Sequence, residues 1–456
     1  MLTARIRGIL SNGIFLGSVS TLAIKATGSA LAFIMFALAA RQMSPDAFGQ
    51  MAVVFNTLSF AAVAMNFGQE TLIARSWGEY AATSPSRARG ALLYGGRIVL
   101  CGAIVSSFAV AVYWLVSETS PGPWFALGTA LFLFAQTLMT FSGRLSLVTA
   151  GVPLAEIPRE IVWRVTVIGT ILINIALGLR FSPTDFFLVS GAILLLAVLY
   201  QASQVRRVMP EAVKQAEPTF ERALWRGRSS RMWPSSLLDS SSQYLEVVVV
   251  GFILGPAAAA FYFAATRITN AFAMIASGLT TYATKHISPL YHSDSKAELQ
   301  SMLRSLAIIS LLLSGAIIGI IVLGGKLLLS FYGAPYVDVY AVLVILALGG
   351  LLTGLAGPAP YLLLLTGHER LYPIIMTSAL IVRMSLIALL GSWFGLMGAA
   401  VAGAVATALT ATALVVACRR FLGIDPSVLS LFQPKGPAKA APRPDQSPDL
   451  AKSEGA

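Results

Sequence analysis

The sequence predicts an all-α polytopic membrane protein of about twelve transmembrane helices, each using about 20 apolar residues to cross the hydrocarbon core. Three observations carry that prediction. Hydrophobic residues make up 56% of the 456 and charged ones only 11%, against about 25% charged in a soluble domain. Apolar runs of spanning length recur from end to end, and mean hydropathy over the whole chain is +0.77. Lysine and arginine gather in every second loop, as the positive-inside rule expects of cytoplasmic loops.

Spans are expected at 14–40, 48–73, 91–116, 124–149, 161–179, 185–205, 233–254, 258–284, 303–324, 339–365, 372–391 and 396–418. The first run, Ile14 to Ala40, is too long for a signal-peptide core and lacks a cleavage site, so it reads as a span. Residues 1–205 then form one six-helix half and 233–420 the other, joined by a basic linker at 206–232. In the linker Phe220, Leu224 and Trp225 share a helical side while Arg222, Arg226 and Arg228 lie elsewhere around it. That pattern suits either a short helix at the headgroup surface or a solvated connector. The tail, 421–456, is rich in Pro, Ala and Lys and is expected to be disordered beyond Asp425.

The cations fix a topology. One set of loops holds Arg5 and Arg7, Arg75, Arg87 and Arg89, Arg159, the linker arginines with Lys214, Lys285 and Lys296, Arg370, and Arg419 with Arg420. The alternate set holds little beyond Arg41, Arg180 and Lys326. Both termini are therefore expected in the cytoplasm, in a cell inner membrane. The net charge of +12 has this topogenic explanation and does not call for nucleic acid.

Several function classes find no support. Cys101 and Cys418 lie far apart in apolar runs, so neither a disulfide framework nor a thiolate metal site follows. His286, His292 and His368 have no metal-site spacing. No phosphate-binding glycine loop ending in Lys and no serine elbow is present. Outer loops are short and lack histidine, which argues against a membrane-embedded polymerase or ligase. A transporter with no cofactor is the expectation.

A weak internal repeat supports two lobes. Met43-Ser44-Pro45 is echoed by Leu254-Gly255-Pro256, each at the outer turn after the first span of its half. A parallel repeat of this kind places substrate between the halves in many transporters. The stretch Leu38-Ala39-Ala40-Arg41-Gln42-Met43-Ser44-Pro45-Asp46-Ala47-Phe48-Gly49 resembles the first hairpin of the polysaccharide-export flippases. These belong to the multidrug/oligosaccharidyl-lipid/polysaccharide exporter superfamily. Asn66-Phe67-Gly68 through Arg75, Leu254-Gly255-Pro256 through Arg267, Leu365-Thr366-Gly367-His368 and Phe394-Gly395-Leu396-Met397-Gly398-Ala399-Ala400 resemble further stretches of that family, in order, over about residues 10–422. The resemblance implies two six-helix lobes around a central cavity and alternating access. It also implies a polyprenyl-diphosphate-linked glycan as substrate, with membrane lipids and polysaccharide polymerase machinery as further partners. A multidrug-type cation antiporter and a peptidoglycan-precursor flippase are the alternatives within the superfamily.

The ionisable residues inside the spans carry the chemical expectation. Lys25, Arg97, Arg164, Arg267 and Arg383 fall within apolar runs, with Asp239 and Glu246 as carboxylates. Five cations facing lipid would cost on the order of 12–17 kcal/mol, at about 2.5–3.5 each, so they must face counter-ions or a watered cavity. Cations in excess of carboxylates suit an anionic substrate, since arginine grips diphosphate oxygens in bidentate fashion. Lys25, Arg267 and Arg383 lie nearest mid-span; Arg97 and Arg164 lie nearer the cytoplasmic end, where they could snorkel or meet the incoming diphosphate. Arg144 is closer still to that boundary and reads as an anchor. Ser235, Asp239, Ser242 and Glu246 stack on one face of the seventh span, with Gln243 beside them. That face either lines the cavity and carries a coupling proton or sodium ion, or pairs with Arg267 or Arg383. Pro358 and Pro360 predict a kink in the tenth span and make it a candidate hinge. The run through Gly398, Ala402, Gly403 and Ala406 predicts close helix packing.

Overall fold

The computed structural model describes residues 13–119, 121–292, 296–366 and 371–432. Arg5, Arg7, His368, Arg370 and the tail from 433 onward lie outside the described residues. All described elements are helical. In chain order they are α1 (Gly13–Gln42), α2 (Pro45–Ala64), α3 (Gln69–Tyr80), α4 (Pro85–Val116), α5 (Pro123–Thr149), α6 (Val152–Ile157), a π-turn (Pro158–Val162), α7 (Trp163–Ala176) and α8 (Pro183–Val208). The second half follows with α9 (Glu211–Gln215), α10 (Arg222–Leu254), α11 (Pro256–His292), α12 (Lys296–Ser330), α13 (Ala334–Val337), α14 (Tyr340–Leu355), α15 (Ala359–Leu365) and α16 (Leu371–Ala417).

Local chemistry starts and stops these helices. α2, α4, α5, α8 and α11 each begin with proline, whose missing N–H is harmless in a first turn. Ser44 caps α2 by accepting from the Ala47 amide, and Ser182 forms a reciprocal capping box with Asp185 at the start of α8. α16 doubles back at Gly395 (φ 61°, ψ −148°), a backbone conformation open to glycine; a Cβ on Gly398 would strike the Leu390 carbonyl, as only a reversal allows. α16 therefore supplies two crossings. Eight of the described helices are long and apolar enough to cross a membrane. Three more crossings come from α6 with α7, from α11, and from α14 with α15, giving the twelve-helix, two-lobed architecture.

Two spans depart from simple rods. The tenth is broken, where a kink was expected: α14 stops at Leu355, Gly357 turns with φ +67°, and α15 restarts at Ala359. Pro358 caps α15 and Pro360 occupies its first turn, where proline fits. A Cβ on Gly357 would overlap the Pro426 carbonyl, so the break is also where the chain after α16 returns. That return corrects the expected tail. Ile424, Asp425, Ser427 and Ser430 are buried, Asp425 pairs with Arg419 at 2.6 Å and Gln300 bonds the Asp425 backbone. The chain through Phe432 is thus packed against α12. The fifth span begins at Val152, about nine residues ahead of the expected 161, because the helix passes Pro158 through a π-turn.

The linker is tied to the first lobe. Thr219 bonds the Ser86 carbonyl, Arg89 reaches the carbonyls of Lys214 and Ala216, and Arg87 pairs with Glu221 at 3.0 Å. Arg228 pairs with Glu79 at 2.6 Å, and Trp225 is fully buried against Leu72, Ala91 and Tyr94. Trp225 thus faces protein, and helix α10 runs unbroken from this strap into its span. The Arg75 hydrogen bond, followed by that of Arg228, holds the Glu79 carboxyl below its ordinary value. Its contribution is present at neutral pH and disappears as pH falls through that lowered pKa.

The lobes meet at the end opposite the basic loops. Phe263 of α11 packs edge-on against Phe36 (4.8 Å), Phe48 (5.9 Å) and Phe55 (6.4 Å) of α1 and α2. Phe48 also touches Tyr332 and Tyr336, and Phe33 touches Phe331 and Tyr332. Arg41 donates to the Phe331 and Ser330 carbonyls across the same seam. Such aromatic pairs add about 0.5–1.5 kcal/mol each beyond area burial. The seam is tight because Gly49 and Gly251 carry no side chain: a Cβ on Gly49 would lie on the Pro256 carbonyl, and one on Gly251 on Val53. Gly49→Ala should therefore lower the melting temperature in detergent by the equivalent of about 1–3 kcal/mol of overpacking. Gly78→Ala, where the added methyl meets nothing within 4 Å, should raise it slightly, by the equivalent of about 0.5–1 kcal/mol of helix propensity.

Candidate functional site

Away from the aromatic seam the lobes part around a polar centre. From the first lobe, the π-turn presents Arg159 and Glu160, and the first turn of α7 presents Arg164. Glu160 pairs with Arg164 at 2.5 Å and with Arg159 at 3.2 Å; Arg159 also holds Glu156 at 3.1 Å. Gly28 of α1 lies against this pair, and a Cβ there would meet both the Arg164 guanidinium and the Glu160 carboxylate. Lys25, exposed one turn earlier on α1, acts electrostatically on the same Glu160. From the second lobe come Tyr244 of α10, whose hydroxyl feels Arg267, Arg159, Glu160 and Arg164, and Arg267 of α11.

Arg267 is the unusual member. Its guanidinium stands 4.5 Å from the Phe263 ring centroid and 5.7 Å from that of Phe36. Its Nε is buried without a hydrogen-bond partner, and among the described residues no carboxylate lies within ion-pair distance of it. The charge of Arg164 bears on it from across the cleft. Aromatic faces offset part of its desolvation, by about 2 kcal/mol in a dry setting, and leave the N–H groups unspent.

Arg383, at mid-length of the first crossing of α16, is differently placed. It donates to Glu246 at 2.7 Å and to the Thr407 hydroxyl at 2.5 Å, while Tyr262 donates to the other Glu246 oxygen at 2.7 Å. Gly403 makes room for this group: a Cβ there would lie 3.0 Å from the Tyr262 hydroxyl. The small-residue run thus admits a buried polar cluster as well as close helices.

Two connected cavities open beside these residues. The smaller, ≈ 250 Å³, is lined by Arg267, Arg383, Glu246, Gln243, Asn270 and Thr266 among others. The larger, ≈ 520 Å³, runs from Arg383 and Thr407 toward the basic end, past Tyr372, Tyr361, Met376 and Leu414. Ser242, Thr353, Arg383 and Thr407 line both. Asp239 lies on the basic side, facing the Tyr372 and Tyr361 hydroxyls. Pro360 lines the larger cavity; Pro358 stands beside it as the cap of α15.

The structure therefore brings Lys25, Arg164 and Arg267 to the cleft and Arg383 to the cavity wall, with Ser242 and Glu246 on the facing side of α10. It does not bring Arg97 there. Arg97 is exposed on α4 and stacks over Phe220 of the strap at 5.7 Å. Arg144 is exposed at the basic end of α5. The sequence reading also undercounted the carboxylates. With the fifth span starting at Val152, Glu156 and Glu160 join the cleft, and their spacing to Arg159 and Arg164 on one helix was the signal. Lys25, Arg159, Arg164, Arg267 and Arg383 face Glu156, Glu160 and Glu246, so cations outnumber carboxylates in the cleft itself; Asp239 and the buried Glu70, which accepts from Ser236 of α10 at 2.7 Å, are further carboxylates along that helix. Tyr244, Tyr262 and Thr407, which hold the charges in place, carried no motif. Among the described residues no three His, Cys, Asp or Glu side chains gather as metal ligands.

The Arg383–Glu246 pair has a measurable signature. Arg383→Ala strands a half-buried carboxylate and should lower stability by about 1–3 kcal/mol, read by thermal unfolding in detergent. Adding Glu246→Gln should recover much of that loss, because the amide keeps a partner in Tyr262 and carries no charge.

No protein-family model matches the sequence, and none of the curated proteins matches it. Solved structures do. An inward-facing multidrug resistance MATE family transporter of the MOP superfamily superposes with a TM-score of 0.70 at 15% identity, over 89% of this chain and 98% of that one. An outward-facing MATE family transporter gives 0.62 at 15% identity, over 89% and 95%. A MOP superfamily transporter from Pyrococcus furiosus, reported for a binding pocket of reversed polarity that suggests a different function, gives 0.62 at 13% identity, over 89% and 94%. The chain has the fold of the MATE transporters of the MOP superfamily.

Proposed function

We propose that the protein is a flippase that carries a polyprenyl-diphosphate-linked oligosaccharide from the cytoplasmic to the outer leaflet of a cell inner membrane, for assembly of a surface polysaccharide. The basic end is the cytoplasmic one on this reading, by the positive-inside distribution of its loops, and both termini lie there. The single observation that carries the proposal is Arg267: a mid-membrane guanidinium with no carboxylate partner among the described residues, beside Arg164 and open to a cavity shared with Arg383. Two like charges held near one another in a low-dielectric cleft repel. A diphosphate between them converts that repulsion into charge-assisted hydrogen bonds.

The two cavities divide the substrate. The diphosphate belongs in the smaller, cationic one. The first sugars belong in the larger, whose volume of ≈ 520 Å³ lies within the usual range for small-ligand pockets. Its tyrosines and threonines supply aromatic faces and hydroxyls, and Asp239 an acceptor at its mouth. The polyprenyl chain stays in the bilayer, where it is already solvated. The aromatic seam closes the outer end, which makes this the state that loads from the cytoplasm; the higher TM-score against the inward-facing relative agrees. Glu246, released from Arg383 when an anion arrives, is the group best placed to take a coupling proton or sodium ion.

A multidrug-type cation exporter is the second reading, because solved relatives of this fold carry that name. It fits the charge poorly, since a cationic drug would meet net positive charge at the centre. A peptidoglycan-precursor flippase shares the diphosphate chemistry and differs in the sugars.

Deletion of the gene should leave lipid-linked oligosaccharide on the cytoplasmic leaflet, and the wild-type gene should restore outer display. Arg267→Ala should reduce restoration at least tenfold at normal protein level, while Arg226→Ala, at an exposed side chain of the strap, should restore fully. Full restoration by Arg267→Ala would remove the anion role.

A further inference from the structure

Arg97 is left without a role by the cleft. It sits at the start of an exposed stripe on α4 that continues through Cys101, Ile104 (53% exposed) and Phe108 (70% exposed). The spacing of four, three and four keeps these side chains on one helical face. A membrane-spanning helix shows such a face to lipid tails, so Arg97 marks where that face reaches the headgroups of the basic end.

A second arginine joins it from a different element. Arg222, the first residue of α10, stacks over the same Phe220 ring as Arg97, at 5.6 Å against 5.7 Å. Neither guanidinium has a carboxylate within ion-pair distance among the described residues; the neighbouring Glu221 is engaged by Arg87. Both are exposed, and Leu224, 42% exposed, extends the apolar surface beside them. Two cations thus gather at one ring, which offsets only part of the desolvation that each meets there. An anion at this edge of the protein would meet both guanidiniums.

We propose that Arg97, Arg222 and Phe220 form a binding site for the phosphate of an anionic phospholipid of the basic-end leaflet, whose acyl chain lies along the Cys101–Ile104–Phe108 stripe of α4. Charge complementarity and the adjoining lipid-facing stripe select a lipid over a soluble anion. Polybasic surface segments gain affinity for anionic leaflets with each added cation, and here two cations converge on one spot. Because Arg222 opens α10 and Arg97 belongs to the first lobe, the bound lipid pins the strap where it enters the span that carries Glu246. The site is separate from the cleft and does not depend on which solute is transported.

The test is native mass spectrometry of the purified full chain, equilibrated with mixed micelles of phosphatidylglycerol and phosphatidylcholine. Wild type should retain phosphatidylglycerol in preference to phosphatidylcholine. The Arg97→Gln/Arg222→Gln double variant should retain it about tenfold less, and Arg144→Gln, which removes an exposed cation elsewhere at the same end, should match wild type. Both substituted side chains are exposed and make no ion pair among the described residues, and each loses only an exposed contact with Phe220, so melting in neutral detergent should change little, which separates lost binding from misfolding. Equal retention by the double variant and wild type would overturn the proposal. So would displacement of the lipid by millimolar inorganic phosphate, which would identify a soluble-anion site. Retention of a polyprenyl diphosphate with no retention of phosphatidylglycerol would reassign the spot to the substrate and overturn it equally.

Discussion

A charge in the middle of a bilayer must find a partner, and the interior of this protein is organised around that requirement. Desolvating an arginine or glutamate without compensation is far more expensive than any one packing contact is favourable. Each charged group in the cleft is accordingly matched to a local device. The π-turn at Pro158–Val162 lets Glu160 serve Arg159 and Arg164 together. Gly28 lets α1 close over that pair, and Gly403 lets α16 close over Tyr262 and Glu246. Arg267 departs from this rule, with two aromatic faces where others have carboxylates. On the function proposed above, an anionic substrate fills that shortfall.

The aromatic seam and the polar cleft are complementary halves of one arrangement. Phe263 and Arg267 are a single helical turn apart on α11, so the residue that seals the lobes and the residue that faces the cleft move together. Breaking the Phe263 contacts with Phe36, Phe48 and Phe55 would also remove one of the two rings over Arg267. Any movement that broke the Phe263 contacts would therefore also change the setting of Arg267.

Much of this was legible in the sequence, for physical reasons that also explain what was hidden. Spans are legible because lipid imposes a simple length and apolarity rule, and the prolines that begin α2, α4, α5, α8 and α11 sharpened it. The stacking of Ser242 and Glu246 on one face of α10 followed from helical periodicity alone. The π-turn was not visible: it shifted the start of the fifth span to Val152 and brought Glu156 and Glu160 into the cleft. Nor was the packing of Asp425 to Phe432, since Pro and Ala content does not reveal that the break at Gly357 needs the Pro426 carbonyl against it. Arg97 and Arg267 look alike in sequence, as lone arginines in apolar runs. Only the tertiary arrangement turns one to the membrane surface and the other to the cleft.

The central claim is that the cleft is built for an anion, and equilibrium binding to the purified protein tests it most directly. Farnesyl diphosphate, a soluble short-chain diphosphate, should bind the wild-type protein in isothermal titration. Arg267→Gln should weaken it at least tenfold, equivalent to about 1.4 kcal/mol, and tetraphenylphosphonium should show no binding. Tight binding of the phosphonium cation with none of the diphosphate would contradict the account.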